Sequence, residues 1–288
     1  MIVVTGATGH LGKLVVEGLL EKLPADQVVA AVRTPEKAAD LAERGVEVRR
    51  ADYADPESLV TALKGADKVL LVSSSEVGRR AAQHQAVIEA AEQNGVRHLV
   101  YTSAPQATTS KLVLAPEHKA TEELIEASGL AATILRNNWY NENYADTIKQ
   151  AAQTGSFVGS AGDGRVASAT RADYAAAAVA VLTGEGHEGH EGKIYELAGD
   201  VTWTNADLAA EIGKATGREI TYVDLPADEH VKALTGAGLP EQLAGFLVAL
   251  DANIKDGLLA ETTGDLRALI GRASTPIGVT VAEIADTL

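Results

Sequence analysis

Cysteine is missing from this sequence altogether, and methionine stands only at position 1. Disulfide bridges, thiol nucleophiles, thiolate zinc sites and iron–sulfur clusters are excluded together. Aromatic residues are scarce, at 4%, so the core is aliphatic. Positive charge is short as well: 25 Lys and Arg stand against 40 Asp and Glu, a formal net charge of −15. A nucleic-acid partner is not expected, because binding the phosphate backbone depends on cations that displace its counterions, and no basic stripe offers a local exception. Long apolar runs are lacking too. The longest, Tyr174–Leu182, is alanine-rich and far short of the ~20 residues that cross a bilayer, so no membrane span is expected. Strand-forming residues begin at Ile2 with no sign of a secretory leader, and the expected location is the cytoplasm.

What is present is a chain of 288 residues, 46% hydrophobic, long enough for one large domain with a smaller appendage and a core that needs no covalent staples. Short β-branched runs recur at Ile2–Thr5, Val28–Val32, Val46–Arg49, Val69–Val72, His98–Thr102 and Ala132–Leu135. Between them lie helical patterns, among them Leu11, Val15, Val16, Leu19 and Leu20, and the stretch Ala82–Ala91. Strand, helix, strand in repetition means right-handed βαβ units, hence an α/β fold with a doubly wound parallel sheet. After Gly155 strands thin out to Lys193–Leu197 and Ile220–Val223, while helical patterns dominate at Asn205–Ala215, Glu241–Leu250 and Val281–Leu288. The expected organisation is a Rossmann-like domain over 1–154 and a smaller, mostly helical substrate lobe over 155–288, packed closely against it. The tandem His-Glu-Gly stretch within 184–192 reads as a solvated turn; its two histidines lack a third ligand, and no metal is expected.

The first strand runs directly into Thr5-Gly6-Ala7-Thr8-Gly9-His10-Leu11-Gly12 and then into a helix. Gly6 permits the tight turn, Gly9 lets backbone approach a pyrophosphate, and Gly12 lets the helix pack close to the strand. The open N–H groups of that helix face the anion. An acidic residue about 20 positions on would bind the ribose 2′-hydroxyl of NAD; here the second strand ends in Arg33, with Thr34 and Lys37 beside it. A guanidinium there suits a 2′-phosphate, and a charge-assisted hydrogen bond worth ~1.5–3 kcal/mol predicts NADP(H) over NAD(H). Asp52 and Tyr53 after the third strand are placed to flank the adenine. Ser73, Ser74 and Ser75 after the fourth fall beside the phosphates and nicotinamide ribose, and Thr102 and Ser103 after the fifth near the nicotinamide.

With the glycine loop, Arg33 and the stretch Arg136-Asn-Asn-Trp-Tyr-Asn-Glu-Asn-Tyr144, the chain resembles the NmrA-like atypical short-chain dehydrogenase/reductases, in particular their type 2 NADPH:quinone oxidoreductase branch. Ser73–Gly78, Glu117-His118, Ala161–Tyr174 and Tyr195–Asp200 extend the resemblance over most of the chain. It implies a Rossmann domain with a small C-terminal lobe, NADPH along the glycine loop, and a quinone between the lobes near Asn137, Trp139 and Tyr140.

Most short-chain reductases protonate an alkoxide with Tyr-x-x-x-Lys, and none of the seven tyrosines here has a lysine four places on. A quinone acceptor removes that need: its reduction gives a phenolate-like oxygen whose conjugate acid has a pKa of about 10, so water or a modest hydrogen bond suffices and the protein mainly orients the reactants. Trp139 and Tyr140 are candidates to stack on the ring, and Asn137, Asn138 or Asn143 to donate to its carbonyls, although asparagines also suit plain turns. Arg171 is a further substrate candidate at the start of the alanine-rich helix. His118, near the start of the helix after the fifth strand, is the candidate proton donor, against the alternative of an exposed first-turn histidine. Two functions stay open: an NADPH-dependent reductase of a quinone or another electron-poor acceptor, and a non-catalytic NADP(H) sensor that reports through a protein partner.

Overall fold

The computed structural model describes residues 1–184 and 189–288. In chain order the first half runs β1 (Ile2–Thr5), α1 (His10–Leu20), β2 (Val28–Val32), α2 (Ala39–Glu43), β3 (Glu47–Arg50), α3 (Pro56–Ala62), β4 (Lys68–Leu71), α4 (Arg80–Gln93), β5 (His98–Ser103), α5 (Ala115–Ser128) and β6 (Ala132–Asn137). The second half runs α6 (Ala145–Thr154), β7 (Ser156–Gly159), α7 (Arg171–Thr183), β8 (Ile194–Leu197), α8 (Asn205–Thr216), β9 (Thr221–Asp224), α9 (Ala227–Gly236), α10 (Glu241–Lys255), α11 (Asp265–Ile270) and α12 (Ile277–Ala285).

Seven strands form one parallel sheet in the order β3-β2-β1-β4-β5-β6-β8. Because strand residues alternate between faces, β1 sends Ile2 and Val4 into the core under α1 and α7, and Val3 into the opposite core under α3, α4 and α5. Both faces are covered, which is why β1, β2 and β5 are buried throughout rather than alternating. The alanine-rich α7 owes its composition to close packing: a Cβ on Gly18 of α1 would lie 3.0 Å from Val179 of α7.

The strand expected at Lys193–Leu197 is present, but not in the lobe. As β8 it pairs with β6 and extends the large sheet, and α7 and α11 also pack on that sheet's face. Residues beyond 154 therefore return to the first layer before the lobe is complete. The lobe has its own core, built from α6, α8, α10 and α12 around Phe157 and Trp203. Its small sheet pairs β9 with β7, a strand of four residues too short for its periodicity to be read from the sequence. Residues 185–188 of the His-Glu-Gly stretch lie outside the described residues. His190, at its far end, is not solvated as expected: it is buried, with Nδ1 2.9 Å from the Tyr195 hydroxyl and its carbonyl accepting from Thr133.

At the sheet's centre, chain direction reverses: β1 leads outward to β2 and β3, while β4 leads to β5 and β6. The carboxyl ends of β1 and β4 part there, leaving the crevice in which doubly wound folds bind ligands. The glycine loop lies on it, and its spacing has a steric cause. Gly6 has φ +58°, and a Cβ on Gly12 would lie 2.4 Å from the Gly6 carbonyl oxygen. Gly12→Ala is expected to lower stability by at least about 2 kcal/mol in urea titrations, whereas Gly236→Ala, where a Cβ meets nothing within 4 Å, should be neutral or stabilising by up to ~1 kcal/mol.

Candidate active site

A cleft of about 610 Å³ runs along the carboxyl edge of the sheet. The ends of β1 to β6 contribute to its wall. From β1 come Gly6, Thr8, Gly9, His10, Leu11 and Gly12; from β2 Arg33, Thr34 and Lys37; from β3 Asp52 and Tyr53; from β4 Ser73, Ser74 and Ser75; from β5 Ser103; and from β6 Asn137, Asn138, Trp139 and Tyr140, with His118 and Arg171 facing the same space.

The loop after β1 fits a dinucleotide. Gly9 is the N-cap of α1 and no side chain caps that helix, so its first-turn N–H groups are left for a ligand anion. A phosphate needs close backbone approach, and Gly6 and Gly9 present no side chain to block it. Tyr53 acts on this loop from below: its hydroxyl donates to the Val72 carbonyl at 2.8 Å and meets Thr5, which itself bridges β1 to Leu70 and Val72 of the neighbouring chain segment. Tyr53, in the cleft wall as expected, thus also braces β1 against β4. Ala7, expected at the cofactor, is fully buried and is not part of the cleft wall. Arg33 is 71% exposed at the cleft's other end, with only a loose 3.5 Å contact to Glu76, so its guanidinium is available to a phosphate.

The fourth and fifth strand ends are held from behind. Thr102 does not reach the cleft; its hydroxyl accepts from Ser73 N–H at 2.9 Å. Ser74 N–H donates to His84 Nε2 at 2.9 Å, so His84 carries its proton on Nδ1, toward Thr121. Ser103 donates to Glu122, which forms a buried pair with Arg136 at 2.6 Å, and Arg136 also reaches Glu196. Breaking such a pair from one side costs about 3–5 kcal/mol, which makes it a rigid footing for the β5 and β6 ends.

His118 is neither the titrating donor nor the exposed first-turn residue considered above. It is buried, its Nδ1 lies 2.7 Å from the Tyr101 hydroxyl, and burial, with Arg80 and His84 nearby, pushes its pKa down to about 3. At neutral pH the ring is uncharged and holds no proton to give up as an imidazolium.

Asn138 spends its amide internally, donating to the Leu259 carbonyl and accepting from Trp139 N–H. Asn143 lies outside the cleft wall and accepts from Arg171. Asn137 donates to the Tyr140 hydroxyl at 3.3 Å and keeps a buried Oδ1 without a partner. Arg171 lies 4.9 Å over the Tyr140 ring, and Tyr174 packs on that ring edge-on. Leu112 and Leu114 complete an apolar wall near Trp139 that the sequence reading had not included, since both lie in a loop without periodicity. Arg80, Gln83 and Glu76 were also missed. They follow the fourth strand end by several residues, beyond the positions that the strand-end rule flags.

Fold and cleft together define a nicotinamide-dinucleotide-binding protein of the doubly wound α/β class. The chain belongs to the NAD(P)H-binding family, whose profile matches residues 6–185. It is 49% identical over 284 residues to quinone oxidoreductase 2 of Escherichia coli K12, covering 99% of this chain and 98% of that protein. The crystal structure of the NADPH-dependent quinone oxidoreductase of E. coli complexed with NADPH superposes with a TM-score of 0.95 at 48% identity, covering 99% of both chains. Triphenylmethane reductase of Citrobacter sp. complexed with NADP(H) gives a TM-score of 0.94 at 39% identity, covering 99% of this chain and 100% of that one. The NmrA-like resemblance is borne out by an NmrA-like oxidoreductase of Aspergillus flavus, 28% identical over 95% of this chain and 91% of that protein. Among the described residues, no helix is long and apolar enough to cross a membrane.

The neutral state of His84 and His118 sets a pH dependence. Burial lowers both from 6.5 to about 3, while the unfolded chain keeps the ordinary value, so between these limits the unfolded state binds more protons. Their contribution to stability is therefore fully present above about pH 6.5 and is lost as pH drops toward 3. Urea midpoints followed by circular dichroism should decline over that window in wild type, and less steeply in His118→Gln.

Proposed function

We propose that this protein is an NADPH-dependent reductase of quinones. The observation that carries the reading is the 49% identity, across 99% of the chain, to a quinone oxidoreductase. The cleft supports it, with an anion-binding loop at one end and an aromatic and aliphatic pocket at the other. When bound, the nicotinamide supplies a hydride to the acceptor, and no flavin or metal is needed. The α1 N-terminus and the glycine loop hold the pyrophosphate, and Arg33, Thr34 and Lys37 meet the 2′-phosphate. Ser73, Ser74, Ser75 and Ser103 border the ribose and nicotinamide, held in place by Thr102, His84 and Glu122. Trp139, Tyr140, Leu112 and Leu114 shape a slot for a planar ring and exclude water from it, and Asn137 positions Tyr140. Reactants held face to face gain rate from orientation alone.

Purified protein assayed for NADPH oxidation against a panel of quinones, with NADH as control, tests the reading. Quinone-dependent oxidation with NADPH preferred is expected. Tight NADPH binding with no oxidation by any short or long quinone would replace the reductase with a cofactor sensor. Within the reductase reading, Arg33→Glu should abolish the preference for NADPH in binding titrations, a loss of roughly tenfold to a hundredfold in discrimination. Trp139→Ala should raise KM for the quinone while leaving NADPH affinity within about twofold, because it removes a stacking face rather than a cofactor contact.

A further inference from the structure

Arg80, the first residue of α4, is a buried cation whose donors are only half used. It is 5% exposed. Its Nε donates to the Ser74 carbonyl at 2.7 Å, and Nη1 reaches Glu117 Oε2 at 3.5 Å, the limit of a hydrogen bond. Glu117 is engaged elsewhere, accepting from the Gly78 and Arg80 N–H groups through Oε1. Nη2 has no partner among the described residues, yet the guanidinium forms part of the cleft wall. Five N–H donors in a fixed fork seek planar oxygen acceptors, and Nη2 is not among the buried atoms left without a partner, so it stays open on the cleft side, where a ligand oxygen can reach it. The groups facing it are Glu117, His118 and Tyr101 from α5 and β5 and His84 from its own helix, with both rings uncharged at neutral pH. Arg80 is therefore a buried cation of the cleft wall, beside the neutral His118.

We propose that Arg80 is a catalytic residue whose free guanidinium N–H groups bind the acceptor oxygen on which negative charge develops. The inference rests on the quinone-reductase reading. An acceptor that takes up a hydride receives two electrons and one proton, and the nicotinamide is left oxidised. One of the quinone's two oxygens then carries a full negative charge, as the hydroquinone monoanion, until water delivers the second proton. Donors already aimed at that oxygen in a water-poor cleft stabilise the charge as it forms and need no reorganisation. A fixed cation thus does the work for which other reductases use an acid, and His118 can stay neutral.

Arg80→Gln should lower kcat about 10²-fold, the usual loss for one oxyanion donor, with the NADPH dissociation constant within about twofold by fluorescence titration. The loss should grow along a series of quinones as their hydroquinones become more basic, a trend that a merely structural role would not produce. Arg80→Lys should recover part of the rate. A measurement on wild type guards against misfolded variants: with NADPH bound, the absorbance of 4-nitrophenol should show its ionisation shifted to lower pH on binding. Wild type active with quinones, but Arg80→Gln folded and equally fast throughout the series, would overturn the proposal. So would a nitrophenol bound as its neutral form, or an Arg80→Gln variant that loses NADPH affinity at unchanged kcat, which would make Arg80 a cofactor ligand. Wild type inactive with every quinone would instead remove the reductase reading on which the proposal stands.

Discussion

The close approach of α1 to the end of β1 is the constraint on which the rest of the site depends. With a Cβ at Gly12 forced to 2.4 Å from the Gly6 oxygen, the helix can start where it does only if that position is glycine. Its start in turn decides where three uncapped N–H groups point. The same helix packs through Gly18 against α7, and α7 begins at Arg171, over the Tyr140 ring. One packing contact thus links the phosphate end of the cleft to its aromatic end. Tyr53 and Thr5 add a polar tie between β1 and β4 at the point where the sheet's direction reverses, so the crevice has a fixed width.

The histidines buried behind the fourth and fifth strand ends are kept uncharged. His84 and His118 are desolvated and neutral, and their hydrogen bonds to Ser74 and Tyr101 are those of uncharged rings. The Arg136–Glu122 pair is closed on itself and on Ser103. Positive charge facing the cleft stands at Arg33 and Lys37, exposed at the far end, and at Arg80, buried beside the neutral histidines, and Arg171 over the Tyr140 ring. This separation suits a dinucleotide with a phosphate at one end and an uncharged acceptor that gains charge at the other.

The lobe is bound to the sheet by the way the chain is threaded. After β7 the chain returns through α7 and β8 to the large sheet and then leaves again to complete the lobe with α8, β9, α9 and α10. The wall residues Asn137, Asn138, Trp139 and Tyr140 sit at the exit of β6, beside β8, so they are anchored by both layers. Asn138 shows this directly, since its amide joins the β6 exit to Leu259, the residue whose carbonyl also accepts from Ala167.

From the sequence alone, the parallel α/β class, the glycine loop and an arginine at the end of the second strand could be read, because each rests on local chemistry: two-residue and helical periodicities, glycines at fixed spacing, a residue at a strand end. The candidates at strand ends mostly do line one cleft, since parallel strands deliver their carboxyl ends to the same edge. Tertiary structure decided what spacing does not encode. Whether His118 is exposed or desolvated depends on Tyr101 and Arg80, distant in sequence, and whether Asn138 is free depends on Leu259. The Lys193–Leu197 strand joined the large sheet rather than the lobe because pairing with β6 is a choice between distant edges. Arg80 lies on a helix whose pattern looks ordinary; only the fold shows its guanidinium buried, half satisfied and turned toward the cleft.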